Sequence, residues 1–317
     1  MIRLLLIIAL APAQAGAFDL AWPVECTLGE TCFVQNYFDR NPSPIGTDFS
    51  CGTLTYDGHD GTDIALNSLA AMQQGVPVLA ASDGTVRGMR DGMPDISISD
   101  PSAPPLDGQD CGNGVAIVHA DGWETQYCHM KQGSIIVTEG QTVTRGTPLG
   151  MIGISGNAAF PHLHLSVRHD GVEMDPFDPS SSRFSCQKNP SPPIWTTDIP
   201  YLPGGIINAG FSTAIPEFDA IKAGLSATPI TTDAPAIVLW AYLFGGRAND
   251  VIVFDMTGPD GRIMAERVTL DRTQAQLFRA VGKKGNDWPA GLYSGTTTLV
   301  RDGKEIDRQE TTVTVAP

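Results

Sequence analysis

The chain has 317 residues, of which 42% are hydrophobic, and 35 acidic side chains stand against 20 basic ones, for a formal net charge of −15. A chain of this length usually holds more than one domain. The acidic balance argues against nucleic acid and anionic membrane surfaces as partners, because both attract clusters of Lys and Arg. The charge leaves the oligomeric state open.

Residues 1–17 have the layout of a secretory signal peptide. Arg3 precedes an apolar run from Leu4 to Leu10, and small residues follow as far as Ala17. A membrane anchor is the weaker interpretation, because the run is too short to span a hydrocarbon core of roughly 30 Å. We therefore expect an exported protein, periplasmic or secreted, with no stable membrane insertion.

The cysteines fit an exported protein. Their number is even, which in such a chain favours disulfides, and no CxxC pair suggests a cysteine metal site. The connectivity does not follow from the sequence. Proximity favours Cys26–Cys32 and Cys111–Cys128, which leaves Cys51 with Cys186.

Composition divides the remaining chain into four parts. Residues 18–50 form a lead-in with few periodic features, and residues 187–205 form a proline-rich linker. Between them, residues 51–186 are rich in glycine, with a long loop at 88–111. Short strand-like runs in this part are 76–81, 114–119, 134–137 and 162–168.

Residues 206–317 have the character of an all-β accessory domain. Strand-like runs alternate with turn signals such as Gly258-Pro259-Asp260-Gly261. The spacing predicts a β-sandwich of about seven strands. The segment Trp288-Pro289-Ala290-Gly291-Leu292-Tyr293 resembles a late-strand entry of immunoglobulin-like accessory domains, which implies an immunoglobulin-like sandwich. The predicted strands are 236–244, 250–256, 262–270, 276–281, 291–301 and 304–315.

Two segments carry candidate metal ligands. His59 and Asp63 stand four residues apart with Gly61 between them, and imidazole nitrogen and carboxylate oxygen both bind zinc. Alone, this spacing is a weak signal. The second segment, 162–168, alternates in the manner of a strand, with His162 and His164 on one face. One of these two would complete the three protein ligands of a catalytic zinc site with an open position.

The combined motifs resemble the lysostaphin-type, LytM-like zinc endopeptidases of peptidase family M23. The resemblance covers roughly residues 52–178 and has four parts in the family's order. They are His59-x-Gly61-x-Asp63, the Gly-x-Pro-Val-x-Ala…Gly-x-Val segment at 75–86, the segment from Gly112-Asn113-Gly114 to Tyr127-x-His129, and the segment from Gly140 to Pro161-His162-Leu163-His164. The sequence departs from the family pattern at Cys128, Met130 and Phe160.

The resemblance implies a role for each matching residue. His59, Asp63 and His164 match the Zn²⁺ ligands, whereas His129 and His162 match the two catalytic histidines that are not ligands. The sequence does not say which of these two is the base and which stabilises the oxyanion. His119 matches a position that is usually structural. The implied fold is mainly β, with a LytM-like antiparallel sheet in the peptidase domain at 51–186.

The resemblance also implies the substrate, namely the cross-link peptides of bacterial peptidoglycan. The bond is either a D-Ala–diaminopimelate link or a glycine bridge, and the disulfides and acidity favour a Gram-negative periplasm and so D,D-endopeptidase activity. Three alternatives stay open. One is a catalytically silent LytM-fold activator or binding protein of cell-wall hydrolases, and the second is a secreted lysin against other bacteria. The third is a structural or chaperone-like role for the C-terminal sandwich, with the peptidase domain secondary.

Overall fold

The computed structural model describes residues 18–179, 191–224 and 229–317. Strands greatly outnumber helices within these ranges, which confirms the predicted mainly β class. No helix in the described ranges is long and apolar enough to cross a membrane. The predicted signal peptide lies outside the described residues.

An antiparallel sheet occupies the N-terminal half. The elements up to residue 179 are β1 (Cys32–Asn36), β2 (Thr62–Leu66), α1 (Leu69–Gln74), β3 (Pro77–Leu79), β4 (Gly84–Arg90), β5 (Asn113–Val118), β6 (Trp123–Met130), β7 (Thr142–Val143), β8 (Pro148–Met151), β9 (His162–His169) and β10 (Val172–Glu173). In the described residues the sheet has the order β1-β2-β9-β6-β5-β4-β7, with β10 added beside β9. Strands β3 and β8 pair separately.

The central strand β9 follows the predicted alternation. Leu163, Leu165 and Val167 are fully buried in the hydrophobic core on one face of the sheet. His162 and His164 lie on the opposite face, as the sequence predicts. Burial of the apolar face fixes the register of this strand, because a slip of one residue would turn the histidines into the core.

Two parts of the chain differ from the expectations of the sequence. Residues 134–137 do not form a strand, and Ile136 is 68% exposed. The apolar run there borders β8 through a hydrogen bond from Ile136 N–H to the Leu149 carbonyl (3.0 Å) without extending a ladder. Conversely, the lead-in at 18–50 supplies β1, which pairs antiparallel with β2 at the edge of the sheet.

A second group of strands occupies the C-terminal part. Its elements are β11 (Gly205–Ser212), α2 (Phe218–Ala223), β12 (Ile230–Thr231), β13 (Ala236–Gly246), β14 (Val251–Gly258), β15 (Gly261–Thr269), β16 (Gln274–Lys284), β17 (Gly291–Arg301) and β18 (Lys304–Ala316). The described strands form two sheets, β11-β13-β16 and β12-β18-β17-β14-β15. Side chains from both sheets share one hydrophobic cluster, so this part is a two-layer sandwich. Its immunoglobulin-like topology stays a prediction, as do the domain boundaries.

Strand β13 is buried on both faces. The residues facing the sandwich core are Leu239, Ala241 and Leu243. The alternate residues belong to the core of the N-terminal sheet, and they are Trp240, Tyr242 and Phe244. The Phe244 ring lies 4.5 Å from that of Phe33 in β1, measured between centroids. The two halves of the molecule are therefore joined by a continuous apolar contact through one strand.

Two predicted disulfides are present. Cys26 is bonded to Cys32 and Cys111 to Cys128, with Cα–Cα distances of 5.9 and 4.8 Å. Cys51 is also disulfide-bonded. Its predicted partner, Cys186, lies outside the described residues.

Candidate metal centre

Strand register brings the candidate residues together. In the antiparallel pair of β2 and β9, Asp63 lies opposite His164. On the other side of β9, Cys128 of β6 lies opposite the same His164, and His129 follows it. Neighbouring strands thus place residues that are far apart in sequence on one small area of the sheet surface.

His59 enters from the loop before β2, and Gly61 makes this approach possible. A Cβ atom at position 61 would lie 2.6 Å from Nε2 of His164 and 2.7 Å from the Leu165 carbonyl oxygen. No side chain therefore fits between the loop and β9. The His59 ring is fixed by its Nδ1–H, which donates to the carbonyl of Tyr37 at 2.7 Å. Its Nε2 is thereby directed towards Asp63 and His164.

Three potential ligand atoms form a tight triangle. His59 Nε2 lies 3.1 Å from Asp63 Oδ1 and 3.2 Å from His164 Nδ1, and the last two atoms are 2.8 Å apart. Tetrahedral zinc with bonds of about 2.0–2.1 Å separates its ligand atoms by roughly 3.3 Å. Because the donor set is two imidazole nitrogens and one carboxylate oxygen, this group could hold a metal ion such as zinc with one position left over.

The charges in this cluster support one another. Burial disfavours the Asp63 carboxylate, but the neighbouring charges of His59 and His162 and hydrogen bonds from the cluster hold its pKa well below the usual value. Burial also disfavours protonated His164, yet hydrogen bonds to Asp60 and Asp63 and their charges raise its pKa to about 9. The hydrogen bond with His164 in turn lowers the pKa of Asp60 to about 2. The cluster is therefore built to attract positive charge.

His129 and His162 flank the triangle and, unlike His164, favour the neutral form of the imidazole. Burial lowers the pKa of each ring, in His129 reinforced by the charges of His162 and His164. Each Nδ1–H donates to a backbone carbonyl at 2.8 Å, from His129 to Ser155 and from His162 to Phe160. The Nε2 atom of each neutral ring then carries the lone pair. The centroids of the two rings lie 4.6 Å apart.

Two further residues support the triangle, and sequence reasoning missed both. Asn36 Nδ2 donates to Asp63 Oδ2 at 2.8 Å, on the oxygen that faces away from the triangle. The Tyr37 carbonyl accepts from His59. Both lie in or directly after β1, within the lead-in at 18–50. The sequence signal there is the apolar run Cys32-Phe33-Val34, which is too short to identify a strand.

An open groove runs along the sheet past the triangle. The cavity has a volume of about 410 Å³. It is lined by Tyr56, Gly58, Asp60, Asp110, Cys111, Gln126, Cys128, His129, Asn157, His164, Ser166 and Arg168. The bridge between Cys111 and Cys128 therefore lies in the groove wall, next to His129.

The remaining candidate positions have structural contacts. The Phe160 ring stacks on His162 with 4.5 Å between centroids, at the position where the sequence departs from the family pattern. His119 lies outside the triangle, and its ring bonds the Asp83 carbonyl at 2.7 Å and Thr125 Oγ1 at 2.8 Å. The structure thus assembles His59, Asp63, His129, His162 and His164 in one place and leaves His119 apart.

Comparisons with known proteins show that the chain is similar to peptidases. Residues 57–176 match the sequence profile of peptidase family M23. The DD-carboxypeptidase/endopeptidase Mpg of Neisseria meningitidis serogroup B is 30% identical over 196 residues, which cover 61% of this chain and 35% of that protein. The peptidoglycan DD-endopeptidase ShyA of Vibrio cholerae is 35% identical over 109 residues, or 34% of this chain and 20% of that protein.

Among solved structures, a mutant of the catalytic domain of the prophage-encoded M23 protein EnpA from Enterococcus faecalis is similar at 21% identity and a TM-score of 0.35. The match covers 52% of this chain and all of that domain. The chain spans about a third of the length of the first curated relatives. The profile match contains all five residues of the candidate site. Residues 57–176 of this chain are therefore a peptidase family M23 domain.

Proposed function

We propose that the chain is a zinc metalloendopeptidase that hydrolyses peptide cross-links of bacterial peptidoglycan, with His59, Asp63 and His164 as the zinc ligands. The observation that carries this proposal is the triangle of ligand atoms, 2.8 to 3.2 Å apart, at the edge of an open groove. Two neutral histidines stand beside it. A site that only stabilised the fold would be expected to use a fourth protein ligand.

A bound zinc ion would lower the pKa of a coordinated water towards about 7 and polarise the scissile carbonyl. The protein supplies the proton transfers. With Nδ1–H held by backbone carbonyls, the Nε2 atoms of His129 and His162 each keep a lone pair and can take a proton from the attacking water and return it to the leaving amine. His162 Nε2 also lies 3.5 Å from Asp63 Oδ1. Once protonated, either ring can donate to the developing oxyanion. The two histidines share these roles, and their contacts do not rank them.

The substrate assignment draws on the names of the relatives. Mpg is named as a DD-carboxypeptidase/endopeptidase and ShyA as a peptidoglycan DD-endopeptidase. By analogy we propose the D-Ala–diaminopimelate cross-link as the bond cleaved. The two disulfides support action outside the cytoplasm, in a periplasm or after secretion, because such bonds persist in oxidising compartments.

Digestion of purified peptidoglycan tests this proposal. The protein is incubated with sacculi cross-linked through diaminopimelate, with zinc and then with a chelator, and the released fragments are identified by mass spectrometry. We expect loss of cross-linked dimers and gain of monomers with zinc only. A protein that binds no zinc and releases no fragments would instead support the silent activator or binding protein.

A further inference from the structure

A series of hydrogen-bonded polar side chains connects the sandwich to β1. Gln35 is 1% exposed, and its Nε2 donates to the Ala275 carbonyl at 3.1 Å. Its Oε1 accepts from Nε2 of Gln276 at 2.9 Å, and Oε1 of Gln276 accepts from the Tyr242 hydroxyl at 2.8 Å. Both polar ends of one buried side chain in the peptidase sheet are thus held by strand β16 of the sandwich.

Gln35 is held at an irregular point of its own strand. The register of β1 against β2 shifts between Val34, which pairs with Ile64, and Asn36, which pairs with Asp63. Gln35 is the extra residue of this β-bulge. Bulges re-aim side chains near functional sites, and they leave a backbone segment that depends on other contacts for its position. Here those contacts come from the sandwich.

The two residues that follow the bulge hold the candidate zinc ligands. Asn36 fixes Asp63 through its second oxygen, and the Tyr37 carbonyl fixes the ring of His59. A displacement of β1 would therefore alter two of the three ligand positions together. Outer partners of metal ligands typically contribute 10- to 100-fold in metal affinity.

We infer that the sandwich positions the metal site through β1, with Gln276 and Gln35 as positioning residues for the zinc ligands Asp63 and His59. The sandwich is then part of the peptidase and not a separable targeting module. The shared apolar contact supports this, because Phe244 of β13 packs on Phe33 of the same strand β1. The inference rests on the metal site of the proposed function and is independent of its substrate.

Zinc affinity of the full chain tests the inference, with zinc alone as the probe and a chromophoric chelator as competitor. Gln276→Leu removes the donor to Gln35, and we expect its Kd for zinc to rise about tenfold. Gln274→Leu is the matched control. Gln274 lies on the same strand and accepts from Arg279 within the sandwich, so its Kd should equal that of the wild type. If Gln276→Leu does not fold, Gln276→Glu serves instead, because it keeps the acceptor for Tyr242.

A double-mutant cycle separates positioning from general weakening of the fold. In an Asn36→Ala background one of the two links to the ligands is already lost, so Gln276→Leu should raise the Kd by a clearly smaller factor than in the wild type. An equal factor in both backgrounds, or a wild-type Kd in Gln276→Leu, would overturn the inference. Zinc binding without peptidoglycan cleavage would overturn only the proposed substrate, whereas a wild-type chain without zinc would overturn both.

Discussion

At the residue scale, His162 and His164 differ in the contacts of their ring nitrogens, and this difference underlies the different roles that we propose for them. Both project from the same face of β9. Nδ1 of His164 lies 2.8 Å from Asp63 Oδ1, whereas Nδ1 of His162 is occupied by the Phe160 carbonyl. The ring nitrogen that faces the triangle is therefore Nδ1 in His164 and Nε2 in His162.

Because of this difference, we expect alanine variants of the two histidines to differ in whether they lose zinc binding as well as activity. His164→Ala should lose both zinc and hydrolytic activity, because it removes a ligand. His162→Ala should keep about one zinc per chain and lose activity by roughly 10²- to 10⁴-fold, the usual contribution of a general acid or base. Metal analysis and peptidoglycan digestion on the same preparations check this. Equal zinc loss in both variants would contradict the ligand assignment.

The protonation of His164 gives a second prediction. Its pKa of about 9 lies above the value near 6.5 of an unfolded chain, so in the metal-free protein its contribution to stability is complete below pH 6.5. That contribution is lost as the pH rises through 9. An NMR titration of the metal-free protein should show one imidazole with a midpoint near pH 9, absent from His164→Ala. Titration of every histidine below pH 7 would refute the prediction.

At the scale of elements, a disulfide fixes the end of the long loop beside His129, one of the two proposed catalytic histidines. The Cys111 carbonyl accepts from the His129 backbone N–H at 2.8 Å, and Cys128 precedes His129 in the chain. His129 has a φ of 61°, a left-handed conformation that costs about 1 kcal/mol or more in a non-glycine residue. The bridge and this hydrogen bond together hold the strained residue.

Removal of the bridge should therefore affect catalysis more than metal binding. In the Cys111→Ser/Cys128→Ser variant we expect a stability loss of about 3 kcal/mol, from the loop of 17 residues. We also expect about tenfold lower kcat for each zinc-loaded, folded molecule. Zinc content and kcat measured below the unfolding temperature check both parts. An unchanged kcat would show that His129 is positioned without the bridge.

The sequence predicts elements that have a regular pattern of residue types. It does not predict elements whose position depends on contact with a distant segment of the chain. The alternation at 162–168 gave both faces of β9, and the spacing of His59 and Asp63 gave a candidate pair. In contrast, β1 has five residues and its importance comes from contact with β2 and with β16, more than 200 residues away. Residues 134–137 show the converse, since a strand-like composition without a pairing partner forms no ladder.

At the scale of the whole molecule, β13 makes the peptidase sheet and the sandwich one structural unit. Its 11 residues are buried on both faces except at the first position. From sequence, such a continuous apolar run identifies a buried strand but not what covers its second face. The sequence predicts a proline-rich linker at 187–205 between two domains. The observed packing favours joint folding.

Trp240 tests this joint folding. It is 1% exposed, and its side chain lies in the core of the N-terminal sheet although it belongs to the sandwich. Trp240→Ala should lower the free energy of unfolding by about 3–5 kcal/mol and leave a single cooperative transition. Leu292→Ala, at a position 62% exposed, should change it by less than about 0.5 kcal/mol. Two separate transitions in calorimetry would contradict one unit.

The proposed activity depends above all on the three zinc ligands, and anomalous diffraction at the zinc edge identifies them. Crystals of the zinc-loaded protein should show one strong peak at about 2.0–2.2 Å from His59 Nε2, Asp63 Oδ1 and His164 Nδ1. His129 and His162 should lie near the peak without bonding it. A peak coordinated by His162 in place of His164, or no peak within the triangle, would contradict the assignment of His59, Asp63 and His164 as the zinc ligands.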